Sequence, residues 1–214
     1  MVVGLLGNRS PDSNRLILVT PKSEANKQMK RKGIVMKARQ VVGLFSIGLF
    51  TAILLYPTLH EEGHSLLALI VGAKVVNFNL FPIPNILCDV FGVGNTGIIL
   101  IGLGGIIIPY VLSMSLRPKT FWLWYSNTLV RGISLLAVGI SFVSIVLWMN
   151  GIIVPNEDII QVLKVFNGGS ILFLTVFAMM LIFGIVRIVY DKPLKKIIEY
   201  FEIEKETKEI DYGK

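Results

Sequence analysis

The sequence predicts an all-α integral membrane protein with about four transmembrane helices and a short β-strand or hairpin between the first two. Three observations carry this prediction. Of 214 residues, 53% are hydrophobic and 16% charged, with a mean hydropathy of +0.69, whereas soluble domains carry about a quarter charged residues. Four apolar runs, at about 41–72, 97–116, 129–149 and 169–190, reach the roughly 20 residues needed to cross a bilayer core. Between the first two runs, residues 73–94 lose helical periodicity, and Val75, Val76, Phe78, Leu80 and Phe81 with Pro82 and Pro84 read as a strand or hairpin.

Residues 1–40 hold nine Lys/Arg and two Asp/Glu, with Pro11 and Pro21 interrupting any helix, and read as a basic, disordered cytoplasmic arm. The net charge of +7 therefore belongs to this arm, because residues 41–190 hold six basic and five acidic residues and residues 191–214 hold six and seven. That distribution argues against a nucleic-acid-binding face. The run Val41–Leu59 leads into His60-Glu61-Glu62 instead of a small-residue cleavage site, so it does not read as a cleaved signal peptide. The first run, about 32 residues or roughly 48 Å as a helix, must tilt, kink at Pro57 or project from the bilayer. Phe121, Trp122, Trp124 and Tyr125 precede the third run as an aromatic interfacial belt. Residues 191–214 form a charged tail, either an amphipathic surface helix or disordered. Four crossings from a cytoplasmic arm place Arg117, Lys119, Arg131, Arg187, Lys192, Lys195 and Lys196 on or near one side. The other side receives Lys74 from residues 73–96 and no basic residue from 150–156, so both termini are expected in the cytoplasm.

Low charge excludes an ordinary soluble enzyme, and the single cysteine, Cys88, excludes a disulfide framework or thiolate cluster. The five acids of the 41–190 body are Glu61, Glu62, Asp89, Glu157 and Asp158, and both histidines of the chain lie in His60-Glu61-Glu62-Gly63-His64. This is H-E-x-x-H. Histidines four apart share a helix face and can offer two imidazole nitrogens to one zinc ion, with the intervening glutamate beside the metal's water. Such groups inside an apolar span are costly unless a cation compensates them. Other site classes fit poorly. An E-E-x-x-x-R motif would need arginine where Leu66 stands, and no histidine is left over for a serine protease of rhomboid type.

The stretch Leu59-His60-Glu61-Glu62-Gly63-His64-Ser65-Leu66-Leu67-Ala68, followed by Val71-Gly72-Ala73-Lys74-Val75, resembles the active-site helix of the site-2 protease family of intramembrane zinc metalloproteases, peptidase family M50, in its M50B-like branch. The resemblance covers about residues 41–190. Family members pair that helix with a short β element, to which Lys74–Phe81 is similar, and with a small-residue helix, to which Gly102-Leu103-Gly104-Gly105 and Pro109 are similar without the usual Asn. The resemblance implies zinc held by His60, His64 and an aspartate some 90 residues on. Asp158 occupies that place, with Ile159 where the family has glycine; Asp89 and Glu157 are the alternatives. Convergence at the histidines requires residues 157–166 to dip into the bilayer. The function implied is hydrolysis of peptide bonds in membrane-protein substrates, with Glu61 as the catalytic base and an edge strand at Val75–Leu80 pairing with the unwound substrate. A non-proteolytic membrane protein that binds zinc, as scaffold or metal handler, is the alternative, and a proton-relaying transporter is a further one.

Overall fold

The computed structural model describes residues 38–79, 84–152, 154–155, 157–166 and 168–211, with backbone alone over 203–211. Outside these lie residues 1–37 of the expected basic arm, Leu80, Phe81 and Pro82 of the expected strand, and Asn156 and Asn167.

Helix α1 runs over Ala38–Ile70 and passes Pro57 without breaking. A proline inside a helix lacks its N–H, and its ring presses on the carbonyl four residues earlier, here that of Ile53. The chain accommodates this with a π-helical turn over Thr51–Leu55, in which the Tyr56 N–H donates to the Thr51 carbonyl, widening the helix where the ring would press. The half of α1 before this turn buries no side chain, while the half after it buries Gly63, His64 and Ala68.

A turn at Gly72, whose φ of +79° suits a residue without Cβ, leads into β1 (Lys74–Asn79), which pairs antiparallel with β2 (Asn85–Asp89). Lys74 faces Asp89 and Asn79 faces Asn85, with a bulge between Val75 and Asn77. The expected strand element is thus a two-stranded hairpin. Helices α2 (Asn95–Ser115), α3 (Phe121–Met149), α4 (Asp158–Val165), α5 (Ser170–Asp191) and α6 (Pro193–Asp211) follow. Helices α1, α2 and α3 and the run containing α5 are long and apolar enough to cross a membrane.

The core lies where α2, α3, α4 and α5 meet, built from Leu103, Ile106 and Tyr110, Val138 and Ile145, all four buried residues of α4, and Phe173 and Phe177. Away from it the helices expose large apolar side chains: Phe45, Ile53, Leu136, Ile182 and Val186 are each more than half exposed. The expected aromatic belt belongs to the first turns of α3 and packs on α6. Phe121 stacks on Tyr200 with ring centroids 3.7 Å apart, and the Lys196 ammonium lies 5.3 Å from the Trp124 ring. The expected tail is therefore helical over Pro193–Asp211, turned away from α5 at Lys192, whose φ is +44°.

Arg131 is not a loop charge. It lies inside α3, buried, pairing with Asp191 and donating from Nε and Nη2 to the Ser113 carbonyl near the end of α2, at 3.3 and 2.9 Å. Asn127 donates to the same carbonyl at 3.0 Å. The cluster ties the last turns of α2 and α5 to α3 and satisfies a helix-end carbonyl that lacks an intrahelical partner.

Helices α1 and α2 touch backbone to backbone at Gly63 and Gly104. A Cβ on Gly104 would stand 2.8 Å from the Gly63 carbonyl carbon and 3.1 Å from the His64 nitrogen, atoms that cannot rotate aside. Gly104→Ala is expected to cost about 1–3 kcal/mol by prising the helices apart, read as a lower melting temperature in detergent. Gly139→Ala is the control: its Cβ would meet only Leu181 Cδ2 at 3.8 Å, and loss of backbone entropy in the unfolded chain should leave the protein as stable or more so.

Candidate metal centre

The glycine crossing positions one end of the site. It brings the His64 ring against α2, where the Ile101 carbonyl accepts a hydrogen bond from Nδ1 at 2.7 Å. That bond assigns the His64 proton to Nδ1 and leaves Nε2 with a free lone pair, the arrangement a metal-ligating imidazole needs. Gly105 provides room for both rings, since a Cβ there would lie 2.7 Å from His60 Cε1 and 2.8 Å from His60 Nε2.

Helix α4 positions the other end. Its eight residues bury Ile159, Ile160, Val162 and Leu163, with Val162 against Gly102 of α2, so residues 157–166 are tucked among the long helices. Asp158, in the first turn, consequently points at the histidines. Its Oδ2 lies 3.1 Å from His60 Nε2 and 3.3 Å from His64 Nε2, and the two Nε2 atoms are 3.2 Å apart. Burial alone would raise the Asp158 carboxyl, but its bonds and charge interactions with His60 and His64 outweigh this and hold it well below the usual carboxylate range. It is therefore an anion.

The charge balance of this triangle is informative. With its proton on Nδ1, His64 presents a lone pair at Nε2 to a carboxylate oxygen and to a second imidazole nitrogen. A lone pair at His64 Nε2 and the Asp158 carboxylate oxygen 3.3 Å away are two acceptors facing each other, an arrangement that a proton or a cation between them makes favourable. The three residues could thus hold a metal ion, and the nature of the donors fits one.

The remaining sequence candidates fall elsewhere. Asp89 is exposed at the end of the hairpin, where its Oδ1 accepts from the Phe91 N–H at 3.0 Å. Glu157 is half-buried beside Asp158, and burial pushes its carboxyl up; neither residue belongs to the metal-ligating group. Glu62 is exposed on α1. Glu61 lies within electrostatic reach of His60, His64 and Asp158, and the main-chain amide of Ile86 on β2 lies near enough to its carboxylate to stabilise the charge. Cys88, two residues along β2, senses the same carboxylate. It is therefore β2 that reaches Glu61.

Two contributors have no side-chain signature: the Ile101 carbonyl and the Ile86 amide are main-chain groups. A third, Tyr56, extends the row of His60 and His64 one helical turn back, which the four-residue spacing alone could have indicated. Its ring centroid is 6.3 Å from that of His60. Comparison of the chain with family models, curated proteins and solved structures finds no match, so the functional reading rests on this geometry and on the histidine motif.

Proposed function

We propose that the chain is an intramembrane zinc metalloprotease of the site-2 type, cleaving peptide bonds of membrane-protein substrates. The observation that carries this reading is the triangle of His60 Nε2, His64 Nε2 and Asp158 Oδ2 at 3.1–3.3 Å with Glu61 beside it. A tetrahedral zinc with bonds of about 2.0–2.1 Å spaces its ligand atoms about 3.3 Å apart, so the triangle matches three corners. Two imidazoles favour zinc over calcium or magnesium, which prefer oxygen, and three protein ligands leave a fourth position open, as in catalytic zinc sites.

The exposed apolar surfaces of the four long helices support a lipid bilayer as their surroundings. Arg117, Lys119, Lys192, Lys195 and Lys196 at one end, against Lys74 at the other, favour both termini in the cytoplasm even with Arg131 removed from the loop charges.

Zinc bound here would lower the pKa of a water to about 7 and polarise the scissile carbonyl. Glu61 would take a proton from the attacking water as the water oxygen bonds to the carbonyl carbon, and would return it to the amide nitrogen as the C–N bond breaks. Asp158 compensates charge in the centre, and the Ile101 carbonyl keeps the His64 ring in register. A membrane helix shields its peptide bonds with its own hydrogen bonds, so the substrate must unwind locally. A strand of the hairpin, β1 or the neighbouring β2, pairs with the unwound segment by strand addition.

Detergent-purified protein is expected to carry about one zinc per chain and, in liposomes, to cleave a transmembrane reporter. A chelator should abolish cleavage and added zinc restore it. Absence of zinc under non-chelating conditions would sink the reading.

A further inference from the structure

The hydroxyl of Tyr56 is buried and has no hydrogen-bond partner among the described residues. An orphaned buried hydroxyl costs roughly 1–3 kcal/mol, and in a folded protein it calls for a reason. Its surroundings suggest one. Tyr56 directly follows the π-helical turn, its ring neighbours His60, and the charged group within its electrostatic reach is Asp158. It therefore borders the metal centre and engages none of it.

Helical geometry defines which side it borders. At about 100° per residue, His60 and His64 lie about 40° apart around the axis, with Glu61 about 80° from their midline in one direction and Tyr56 about 60° in the other. The base and the tyrosine thus leave the helix axis on opposite sides of the histidine pair. Attack on a carbonyl needs this division: the water gives its proton up on one side, while the C=O electron pair moves onto oxygen on the other, where a hydrogen-bond donor is wanted.

Resting on the protease reading above, we propose that Tyr56 is a further catalytic residue whose hydroxyl donates a hydrogen bond to the substrate carbonyl oxygen as negative charge builds there. The phenol keeps its proton throughout, so no additional proton acceptor is needed. The hydroxyl lacks a partner in the free protein because its partner is the reacting oxygen.

Tyr56→Phe removes the hydroxyl and keeps the ring. Loss of one such donor is expected to lower kcat about 10²–10³-fold with KM, zinc content and melting temperature maintained, the last even raised because an unsatisfied buried group has gone. A second readout does not depend on turnover: calorimetric binding of a phosphinic peptide, whose charged tetrahedral oxygens mimic the adduct, to zinc-loaded protein. It should weaken at least about tenfold in Tyr56→Phe, while a thiol ligand that offers no such oxygen binds unchanged. Equal phosphinate affinity in both proteins, with cleavage intact, would overturn the role of Tyr56 and leave the protease reading standing. Weakened phosphinate binding in Tyr56→Phe, beside a wild type that binds the phosphinate but cleaves nothing, would support the donor and count against the protease. Loss of zinc or a lowered melting temperature in Tyr56→Phe would overturn the proposal by showing the ring hydroxyl to be structural.

Discussion

Glu61→Gln is expected to lower the rate of peptide hydrolysis about 10²–10⁴-fold while the zinc content of the protein stays at the wild-type level. The substitution changes one atom. Glutamine fills the same volume on α1 and its amide oxygen can still face the Ile86 amide, so the hairpin should keep its place beside the helix. What it lacks is a lone pair basic enough to take a proton from water. Glu61 is also absent from the convergent group of His60, His64 and Asp158, so metal retention and catalytic loss should separate cleanly. Metal analysis and reporter cleavage on the same preparation measure both. If a biological function survives Glu61→Gln with zinc bound, the chain is a zinc-binding scaffold or metal handler, and the histidine motif serves architecture instead of hydrolysis.

What could be read in the amino-acid sequence follows from which interactions leave periodic traces. The spacing of His60 and His64 expresses helical geometry directly, and both imidazoles do lie on one face of α1. The four long helices and the interruption between the first two are likewise repeated statements, each made by many residues. The position of α4 is different. Nothing local in Asp158–Val165 distinguishes a helix tucked into the bundle from one lying on its surface; the choice depends on Gly102 leaving space for Val162 and on four apolar side chains finding α2 and α3. Arg131 was hidden for the opposite reason. A lone basic residue near an apolar run resembles a topology signal, and only the pairing with Asp191, 60 positions away, reveals a buried cluster. The π-helical turn before Tyr56 also escapes periodicity, because one widened turn shifts the phase of the flanking residues without altering their composition.

Asp158→Ala is expected to abolish stoichiometric zinc binding, while Asp89→Ala and Glu157→Ala retain it. Two neutral imidazoles four residues apart can grip a divalent cation, but they neither neutralise its charge nor close its coordination shell. Asp158 supplies the one anionic ligand and the third corner of the triangle, from a different helix. Removing it should leave the fold in place, since Ile159, Ile160, Val162 and Leu163 anchor α4 independently of the carboxylate. The expected signature is therefore a folded protein that has lost its metal and melts below the zinc-loaded wild type but close to the wild type stripped of metal, because the extra stability that metal binding confers has gone. Asp158→Asn tests charge against shape: the amide oxygen occupies the same place without the negative charge, and zinc occupancy should fall with it. The controls have their own logic. Asp89 is exposed and engaged with the Phe91 amide, and Glu157 stands beside the triangle without closing it. Full zinc retention in Asp158→Ala would remove the third ligand from the centre and, with it, the reason α4 is turned inward to meet the histidines.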